Sequence, residues 1–459
     1  MILNSGPPVR PGRAPGHPAR AGNPARDATP TGGAPPPTVA IHTQGCKLNQ
    51  ADSESMARCF AQAGYRVVEW GAGADVLVLN TCTVTAAADA KSRQALRAAR
   101  RTNENACIVA TGCYAQRSAD RLSRLDEVSL VVGNTRKDRL VAAVTAARAE
   151  LEVEPCPGRA GVESATGRGR AMIKVQEGCN QVCAYCIVPR VRGRERSIPQ
   201  EAVLREIDNR TRQGRQEVVL TGTQLGAYGY DLPGAGLPAL LRFILAKSTV
   251  PRLRVSSLQP QEITEELLEL WGDSRLCPHF HVPLQSGSDP VLRSMRRRYD
   301  RAQFARTVEL IRRTLPDAGI TTDLMVGFPG EGDAEYQESR GFVHSMRFSD
   351  MHIFPFSPRP GTTAAHLSGR VPEPVKKARA AEMARVAEEG FTAFRLGQLG
   401  RTQPVLWESE RHTGPVPVWS GLTDNYIRVS AQDRRDLRNV VTGAQLLELV
   451  DGRVLSRPL

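Results

Sequence analysis

The sequence lacks any long apolar segment. No apolar run approaches the roughly 20 residues that a membrane-spanning helix requires, and residues 1–37 contain no apolar signal-peptide core. These residues are rich in Pro, Gly, Ala and Arg, so we expect a disordered tail. The sequence therefore predicts a cytoplasmic protein without a membrane segment. In such a protein the 10 cysteines should serve metal binding or catalysis and not disulfides.

Acidic residues are too few to balance the basic ones. Lysine and arginine number 61 against 48 aspartates and glutamates, which gives a net charge of +13. Such a charge favours a polyanionic partner. Arginine heavily outnumbers lysine, however, and genome base composition can produce that bias, so charge alone does not establish nucleic-acid binding. The length of 459 residues predicts two or three domains.

No histidine lies near the densest group of cysteines, which is Cys179, Cys183 and Cys186 in GCNQVCAYC. A structural zinc ion takes four protein ligands, so three thiolates alone do not suit it. Three thiolates do suit a [4Fe–4S] cluster that keeps one iron open to an outside ligand. The alternative is a redox pair of Cys183 and Cys186, which leaves Cys179 without a role. The spacing therefore favours an iron–sulfur site.

Residues 38–145 alternate short apolar runs with helical segments, which predicts a parallel α/β domain. A helix from about Ser53 should bury Met56, Phe60 and Ala63. Three cysteines each follow the end of a predicted strand, namely Cys46, Cys82 and Cys113. Because the carboxyl ends of parallel strands share one sheet edge, these cysteines should converge as a second three-thiolate site. The alternative is that cysteine is simply common in buried strands.

Residues 146–168 form a predicted linker that contains Gly and Pro, and residues 169–396 then alternate six apolar segments with helical ones. This alternation predicts a partial, open (β/α)6 barrel, whose chemistry collects at the carboxyl ends of its strands. The candidate site residues there, polar or glycine, are Gly222, Gln224, Ser257, Gln285 and Asp323.

Residues 397–459 switch to short alternating runs separated by Gly, Asp and Asn, which predicts a small antiparallel β-barrel. Its later part is basic, with Arg428, Arg434, Arg435 and Arg438. RNA contact and a merely solvated charged face are both compatible with that pattern. The predicted fold class is therefore α/β, with two α/β domains followed by a small β-barrel.

Taken together, these motifs resemble the radical S-adenosylmethionine (SAM) methylthiotransferase family. The resemblance covers nearly the whole chain after the tail. It rests on GCKLNQADSE around Cys46, NTCTVT around Cys82, TGCYAQ around Cys113, CNQVCAYCIVPRVRGRERS, PLQSGSDPVLRSMRRRY and DLMVGFPGE. Residues 397–459 are similar to the RNA-binding TRAM module that closes these enzymes.

The resemblance implies two [4Fe–4S] clusters and SAM as cofactors. Cys179, Cys183 and Cys186 would hold the catalytic cluster that cleaves SAM to a 5′-deoxyadenosyl radical. Cys46, Cys82 and Cys113 would hold the cluster whose open iron carries the sulfur. The expected contacts to SAM come from Tyr185, Gly222, Gln224, Ser257, Gln285 and Asp323.

The detailed sequence of two of these motifs favours one substrate. GCKLNQ and LTGTQLGAYGYDL resemble the branch that acts on N6-threonylcarbamoyladenosine beside the anticodon of tRNA (position 37), although Gln224 departs from the hydrophobic residue or histidine commoner there. The alternatives within the family are isopentenyladenosine in tRNA and a ribosomal protein. An alternative of another class is a non-catalytic iron–sulfur protein that binds RNA or carries electrons, which the open-iron spacing disfavours.

The implied partners are the anticodon stem-loop of tRNA and an electron donor such as flavodoxin or ferredoxin. Arg190, Arg192 and Arg194 follow the cysteines directly and are expected to contact tRNA phosphates; a solvated basic loop is the alternative. A second candidate basic patch consists of Arg293, Arg296, Arg297 and Arg298.

Overall fold

The computed structural model describes residues 35–150, 169–412 and 414–459. Nearly all of the expected tail and residues 151–168 of the expected linker lie outside the described residues. A helix continues to Glu150, so residues 146–150 are helical and not part of a linker. The part of the chain that the structure describes contains no helix long and apolar enough to cross a membrane. It divides into two compact units, residues 35–83 with 87–150 and residues 84–86 with everything after 168.

The N-terminal unit is a parallel α/β sheet. Its strands are β1 (Thr38–Thr43), β2 (Arg66–Val68), β3 (Val76–Thr81), β4 (Cys107–Gly112) and β5 (Leu130–Gly133). Its helices are α1 (Lys47–Gln62), α2 (Ala86–Thr102), α3 (Cys113–Arg117), α4 (Ala119–Ser123) and α5 (Leu140–Glu150). The strands pair in parallel in the order β2-β1-β3-β4-β5, which confirms the predicted domain type.

Side chains of β3 alternate between two hydrophobic cores, one on each face of the sheet. Leu77 and Leu79 pack in one core, while Val76 and Val78 pack in the other. Helix α1 adds two of its predicted core residues to the second core, Met56 and Phe60. The predicted start of this helix was wrong, because it begins at Lys47, and the predicted burial of Ala63 was wrong, because Ala63 is exposed just beyond its end at Gln62.

Up to residue 396, the second unit contains eight strands, and six of them form a parallel arc. Its strands are β6 (Arg170–Lys174), β7 (Gln176–Glu177), β8 (Arg196–Ser197), β9 (Glu217–Thr221), β10 (Arg252–Val255), β11 (His279–His281), β12 (Gly319–Val326) and β13 (Asp350–Pro355). The helices are α6 (Val188–Arg192), α7 (Gln200–Arg212), α8 (Leu237–Lys247), α9 (Glu265–Leu268), α10 (Asp289–Ser294), α11 (Arg301–Thr314), α12 (Asp333–Met346) and α13 (Glu373–Leu396).

Two ladders make up the arc, β6-β9-β10 and β11-β12-β13. Single parallel bridges, Leu253 to Leu276 and Ser257 to His281, join them. Among the described residues no ladder connects β6 with β13, so the barrel stays open. The predicted partial (β/α)6 barrel is confirmed. The small pair β7 and β8 is antiparallel and lies outside the arc.

The end of the chain forms a closed five-stranded barrel, called here the C-terminal barrel. Its strands are β14 (Thr402–Arg411), β15 (Val418–Thr423), β16 (Arg428–Gln432), β17 (Val441–Val450) and β18 (Arg453–Pro458). They close in the order β14-β15-β16-β18-β17 around a core that includes Trp407 and Trp419. The predicted small β-barrel is confirmed.

The C-terminal barrel packs against the amino-terminal ends of the arc strands. Arg170 at the start of β6 forms an ion pair with Glu408, with 2.7 Å between Nε and Oε1. At the start of β12, a Cβ on Gly319 would lie 2.2 Å from the carbonyl oxygen of Asn425. The Asn425 side chain also donates to the carbonyl of Asp317, at 3.1 Å. The C-terminal barrel therefore covers the edge of the arc opposite the carboxyl ends.

A buried ion cluster lies at this covered edge. Glu217 of β9 forms ion pairs with Arg254 at 2.8 Å and with Arg252 at 3.0 Å. The Glu217 and Arg254 side chains are fully buried. Burial alone would raise the pKa of Glu217, but the two guanidinium groups outweigh it and lower the pKa to about 2. Arg254 also donates to the carbonyl of Asp424 at 2.7 Å. The cluster thus ties the arc to the C-terminal barrel.

We expect Glu217→Gln to destabilise this unit by about 3 to 5 kcal/mol, because it leaves two buried guanidinium groups without their anion. Thermal and urea unfolding would measure the loss. Glu266→Gln is the matched control, since Glu266 is 60% exposed in its ion pair with Arg242 and should cost less than about 1 kcal/mol.

The loss of stability caused by Glu217→Gln should depend on pH. The pKa of Glu217 is lowered from 4.5 to about 2, so its stabilisation is present above the higher value and is lost as the pH falls through the lower one. The difference in unfolding free energy between wild type and Glu217→Gln should become smaller over that acid range. A difference that stays constant down to pH 2 would contradict the assignment of the ion cluster.

Candidate active site

Cys179, Cys183 and Cys186 lie on one loop between β7 and α6, called here the cysteine loop (residues 178–187). Because this loop follows the first strand of the arc, it lies at the carboxyl edge, as predicted. Backbone bonds hold it on both sides. The Cys179 N–H donates to the Gly193 carbonyl at 3.1 Å, and the Ala184 N–H donates to the Met295 carbonyl at 3.0 Å.

The loop begins at a glycine that no other residue can replace. Gly178 has a φ of +80°, and a Cβ there would lie 1.9 Å from the Arg194 carbonyl oxygen. A positive φ is strained for any residue with a side chain, and the backbone of Arg194 leaves no space for one. This close approach fixes the position of Cys179 relative to β8.

The protein surroundings alone do not favour free thiolates at this loop. Burial raises the pKa of the Cys179 thiol to about 11 and that of the Cys186 thiol to about 12. An iron–sulfur cluster binds thiolates and supplies the positive charge that compensates their burial. Three half-buried thiols on one braced loop therefore fit such a cluster.

The spacing of the sulfurs can be compared with that around a single metal ion. Among the described residues, one set of three His, Cys, Asp or Glu ligand atoms lies within 4.8 Å of one another, and it is His281, Asp323 and His352. Neither cysteine set is that compact. A zinc ion with Zn–S distances of about 2.3 Å would hold its sulfurs about 3.8 Å apart, and neither cysteine set is preformed for that geometry.

The N-terminal cysteines, Cys46, Cys82 and Cys113, follow the carboxyl ends of β1, β3 and β4, which are neighbours in the sheet. The loop of Cys46 reaches Cys82, because a Cβ on Gly45 would lie 2.9 Å from the Cys82 sulfur. The amide of Asn134 donates to the Cys113 sulfur at 3.5 Å. The predicted positions at one sheet edge are confirmed, while the role of these cysteines as ligands stays a prediction.

Two of the expected SAM contacts, Gly222 and Gln224, follow β9 and face Gln176. The Gln224 N–H donates to Gln176 Oε1 at 2.9 Å, and a Cβ on Gly222 would lie 2.9 Å from that oxygen. The Gln224 side chain donates to Glu262, whose pKa burial raises. Gln224, the departure from the family pattern, is therefore held in a buried polar network.

Gln285 and Asp323 are joined through the backbone, since the Gln285 N–H donates to the Asp323 carbonyl at 2.8 Å. The buried Gln285 Oε1 has no hydrogen-bond partner among the described residues. Asp323 lies between His281 at 3.3 Å and His352 at 3.2 Å. Burial opposes the charge of Asp323, but hydrogen bonds from these two imidazoles keep its pKa well below the usual range. Gln285 just beyond β11 and Asp323 within β12 thus both offer acceptor oxygens.

The two remaining expected contacts differ in exposure. Ser257 is exposed and lies beside His281 through a strand bridge. Tyr185 is half-buried on the cysteine loop, and its ring meets Phe328 edge-on at 6.5 Å between centroids. Contact of either residue with SAM stays a prediction.

Arg297 belongs to this site, although the sequence placed it in a surface patch. Its Nη1 lies 3.3 Å from both the Cys183 sulfur and the Tyr185 hydroxyl, and its Nη2 donates to Gln259. Burial opposes its charge, but Tyr185, Tyr299 and Cys183 together raise its pKa. Nothing in the run MRRRY distinguishes Arg297 from the exposed Arg296 and Arg298, so sequence reasoning missed it.

The arginines that follow the cysteine loop do not share one role. Arg190 and Arg194 are exposed, as RNA contact requires. Arg192 was wrongly placed at the surface, because its side chain is 3% exposed and pairs with Glu177 at 2.7 Å. That buried ion pair makes Arg192 a structural residue.

Two family models match the chain: the uncharacterized protein family UPF0004 over residues 38–133 and the radical SAM superfamily over residues 173–343. The threonylcarbamoyladenosine tRNA methylthiotransferase MtaB of Bacillus subtilis is 34% identical over 90% of this chain and 94% of that protein. MtaB of Thermotoga maritima is 39% identical over 85% of this chain and 90% of that protein. A tRNA-2-methylthio-N(6)-dimethylallyladenosine synthase of Anaeromyxobacter dehalogenans is 38% identical over 76% of this chain and 77% of that protein.

Among solved structures, the radical SAM methyltransferase TsrM of Kitasatospora setae has a TM-score of 0.54 at 15% identity. The match covers 72% of this chain and 77% of that one and shows a shared fold. The relatives match at 34% identity or more over nearly their whole length. The chain therefore belongs to the radical SAM methylthiotransferase family.

Proposed function

We propose that this chain converts N6-threonylcarbamoyladenosine beside the anticodon of tRNA (position 37) into its 2-methylthio derivative. The observation that carries the proposal is the three-thiol loop at the carboxyl edge of the (β/α)6 arc. The near full-length similarity to relatives named for this reaction supports the substrate. The dimethylallyladenosine synthase matches over a smaller share of both chains.

The cofactors are SAM and [4Fe–4S] clusters. When bound, they supply the electron, the radical and the sulfur for replacing the C2 hydrogen of the adenine by a methylthio group. Cys179, Cys183 and Cys186 would hold the catalytic cluster, and Cys46, Cys82 and Cys113 would hold the auxiliary one. The protein's own part is binding, orientation and the exclusion of water.

The polar groups around the cysteine loop match the groups of SAM. Arg297 offers a cationic fork to the carboxylate of its methionine part. The half-buried Glu262 offers an anion to its ammonium group, which would favour the ionised form of Glu262. The unpartnered Oε1 of Gln285 and the ionised Asp323 offer acceptors for ribose hydroxyls.

The partner is tRNA, and we propose that an electron donor such as flavodoxin or ferredoxin serves the catalytic cluster in the cytoplasm. The net charge of +13 suits a polyanion. The exposed Arg190 and Arg194 lie beside the cysteine loop, so they are proposed to hold phosphates of the anticodon stem-loop. An additional role in RNA binding is proposed for the C-terminal barrel.

The substrate is tested with purified tRNAs. We expect tRNA bearing threonylcarbamoyladenosine to be methylthiolated with a kcat/KM roughly 100-fold or more above that of isopentenyladenosine tRNA, because a site that binds a polar group rejects an apolar one. Mass spectrometry of the nucleosides gives the product. A preference for isopentenyladenosine tRNA would overturn the substrate and leave the reaction type in place.

A further inference from the structure

Tyr230 has an unusual exposure for an aromatic residue. It is 80% exposed, the largest value among the large hydrophobic residues exposed in the described part of the chain. It belongs to the loop after β9 and so lies at the carboxyl rim of the arc, the rim that carries the cysteine loop.

The loop of Tyr230 is braced on both sides. Before it, the buried Tyr228 donates its hydroxyl to the Ile198 carbonyl at 2.8 Å, and the Gly229 N–H donates to the Ser197 hydroxyl at 2.9 Å. After it, Asp231 accepts from the Ser197 N–H at 3.0 Å. The residues on either side of Tyr230 are therefore tied to Ser197 and Ile198 at the end of β8, while the Tyr230 ring stays exposed.

The same strand connects Tyr230 to the cysteine loop. Strand β8 pairs with β7, which leads into that loop, with Arg196 opposite Glu177. The Arg196 side chain is 64% exposed, and its distance of 3.7 Å to Glu177 is that of a weak pair. Arg194 is exposed, and its carbonyl lies against Gly178. Two exposed cationic side chains and one exposed ring thus lie on segments that are joined through β8.

We propose that Arg194, Arg196 and Tyr230 form an RNA-binding platform, called here the rim platform, in which an unpaired base next to the target adenosine stacks on Tyr230. The two arginines hold adjacent phosphates. Single-stranded RNA is recognised through such stacking on aromatic rings, and a braced ring loses little freedom when it binds. This inference rests on the proposed function, since it takes tRNA as the substrate.

The test uses the full-length, cluster-loaded protein and an anticodon stem-loop RNA that contains threonylcarbamoyladenosine. Tyr230→Leu removes the ring and should weaken RNA binding about 5- to 140-fold, the range of one lost base–aromatic stack. Tyr230→Phe keeps the ring and should bind within about 2-fold of wild type. Tyr230→Trp should bind, and its new exposed indole should lose fluorescence when RNA is added.

The arginines have a separate readout. Arg196→Ala should reduce the slope of log Kd against log salt by about 0.7 to 0.9, as expected for one lost phosphate contact. Arg205→Ala is the charge-matched control, because Arg205 is exposed on α7, the helix that follows β8, and it should leave the slope unchanged. Cleavage of SAM without RNA should be unchanged in every variant, which shows that each one is folded and loaded.

RNA binding of Tyr230→Leu at wild-type affinity would overturn the rim platform, as would an unchanged fluorescence of Tyr230→Trp on RNA addition. Tyr230 would then be an ordinary exposed side chain. Failure of the wild-type enzyme to bind or modify the RNA would overturn the proposed function itself. The two failures are distinguishable, because the second appears before any variant is compared.

Discussion

Cys183→Ala should yield a protein that no longer forms 5′-deoxyadenosine from SAM. Cys183 is the central thiol of the cysteine loop, and its sulfur faces Arg297 at 3.3 Å. Without it, only two thiolates remain for the catalytic cluster, which needs three protein ligands beside its open iron. Iron should fall from about eight to about four atoms per chain, because the auxiliary cluster has separate ligands.

Val182→Ala is the matched control for this variant. Val182 precedes Cys183 on the same loop and is 68% exposed, so its truncation removes no ligand and no buried contact. It should retain both the iron and the cleavage of SAM. Deoxyadenosine formation by Cys183→Ala at a near wild-type rate would contradict the assignment of the catalytic cluster.

Replacing Cys46, Cys82 and Cys113 together by Ala should give the opposite result. The variant should lose about half of the iron and all methylthiolation of tRNA, since it has no place for the sulfur-carrying cluster. Cleavage of SAM with a chemical reductant should survive, because the cysteine loop belongs to the other compact unit. Iron analysis, deoxyadenosine assays and nucleoside mass spectrometry measure the three effects.

Cys59→Ala is the control here, since Cys59 is an exposed cysteine on α1 of the same unit. It should keep both clusters and full activity. A triple variant that retains all its iron would show that the convergence of the three strand ends does not create a metal site.

The sequence predicts the strand ends well for a physical reason. Parallel strands joined by helices must end at one edge, so Cys46, Cys82 and Cys113 follow three neighbouring strands, as expected. The start of α1 could not be predicted from apolar periodicity. Its first turn contains the buried Asn49, whose amide donates to the carbonyls of Gln44 at 2.6 Å and Thr81 at 3.1 Å. The polar bonds of Asn49 therefore help to place this turn, beside the buried Leu48.

Arginine side chains were the main source of error, because their direction depends on contacts distant in sequence. Arg192 turns inward to Glu177 on the preceding strand, while Arg194 stays outside. Arg297 turns inward just after Arg296, which has a φ of +59° that ends the helical path. A run of arginines gives no local signal for either turn, so the pattern alone indicates a uniform basic surface.

The ion cluster of the covered edge has a consequence for how the protein is made. Arg254 donates to the carbonyl of Asp424, a residue that the ribosome adds 170 positions later. Until that segment has left the exit tunnel, Arg252 and Arg254 share Glu217 as their partner, and the amino edge of the arc remains exposed to water. The amino edge of the arc therefore reaches its final packing only once the segment around Asp424 has emerged.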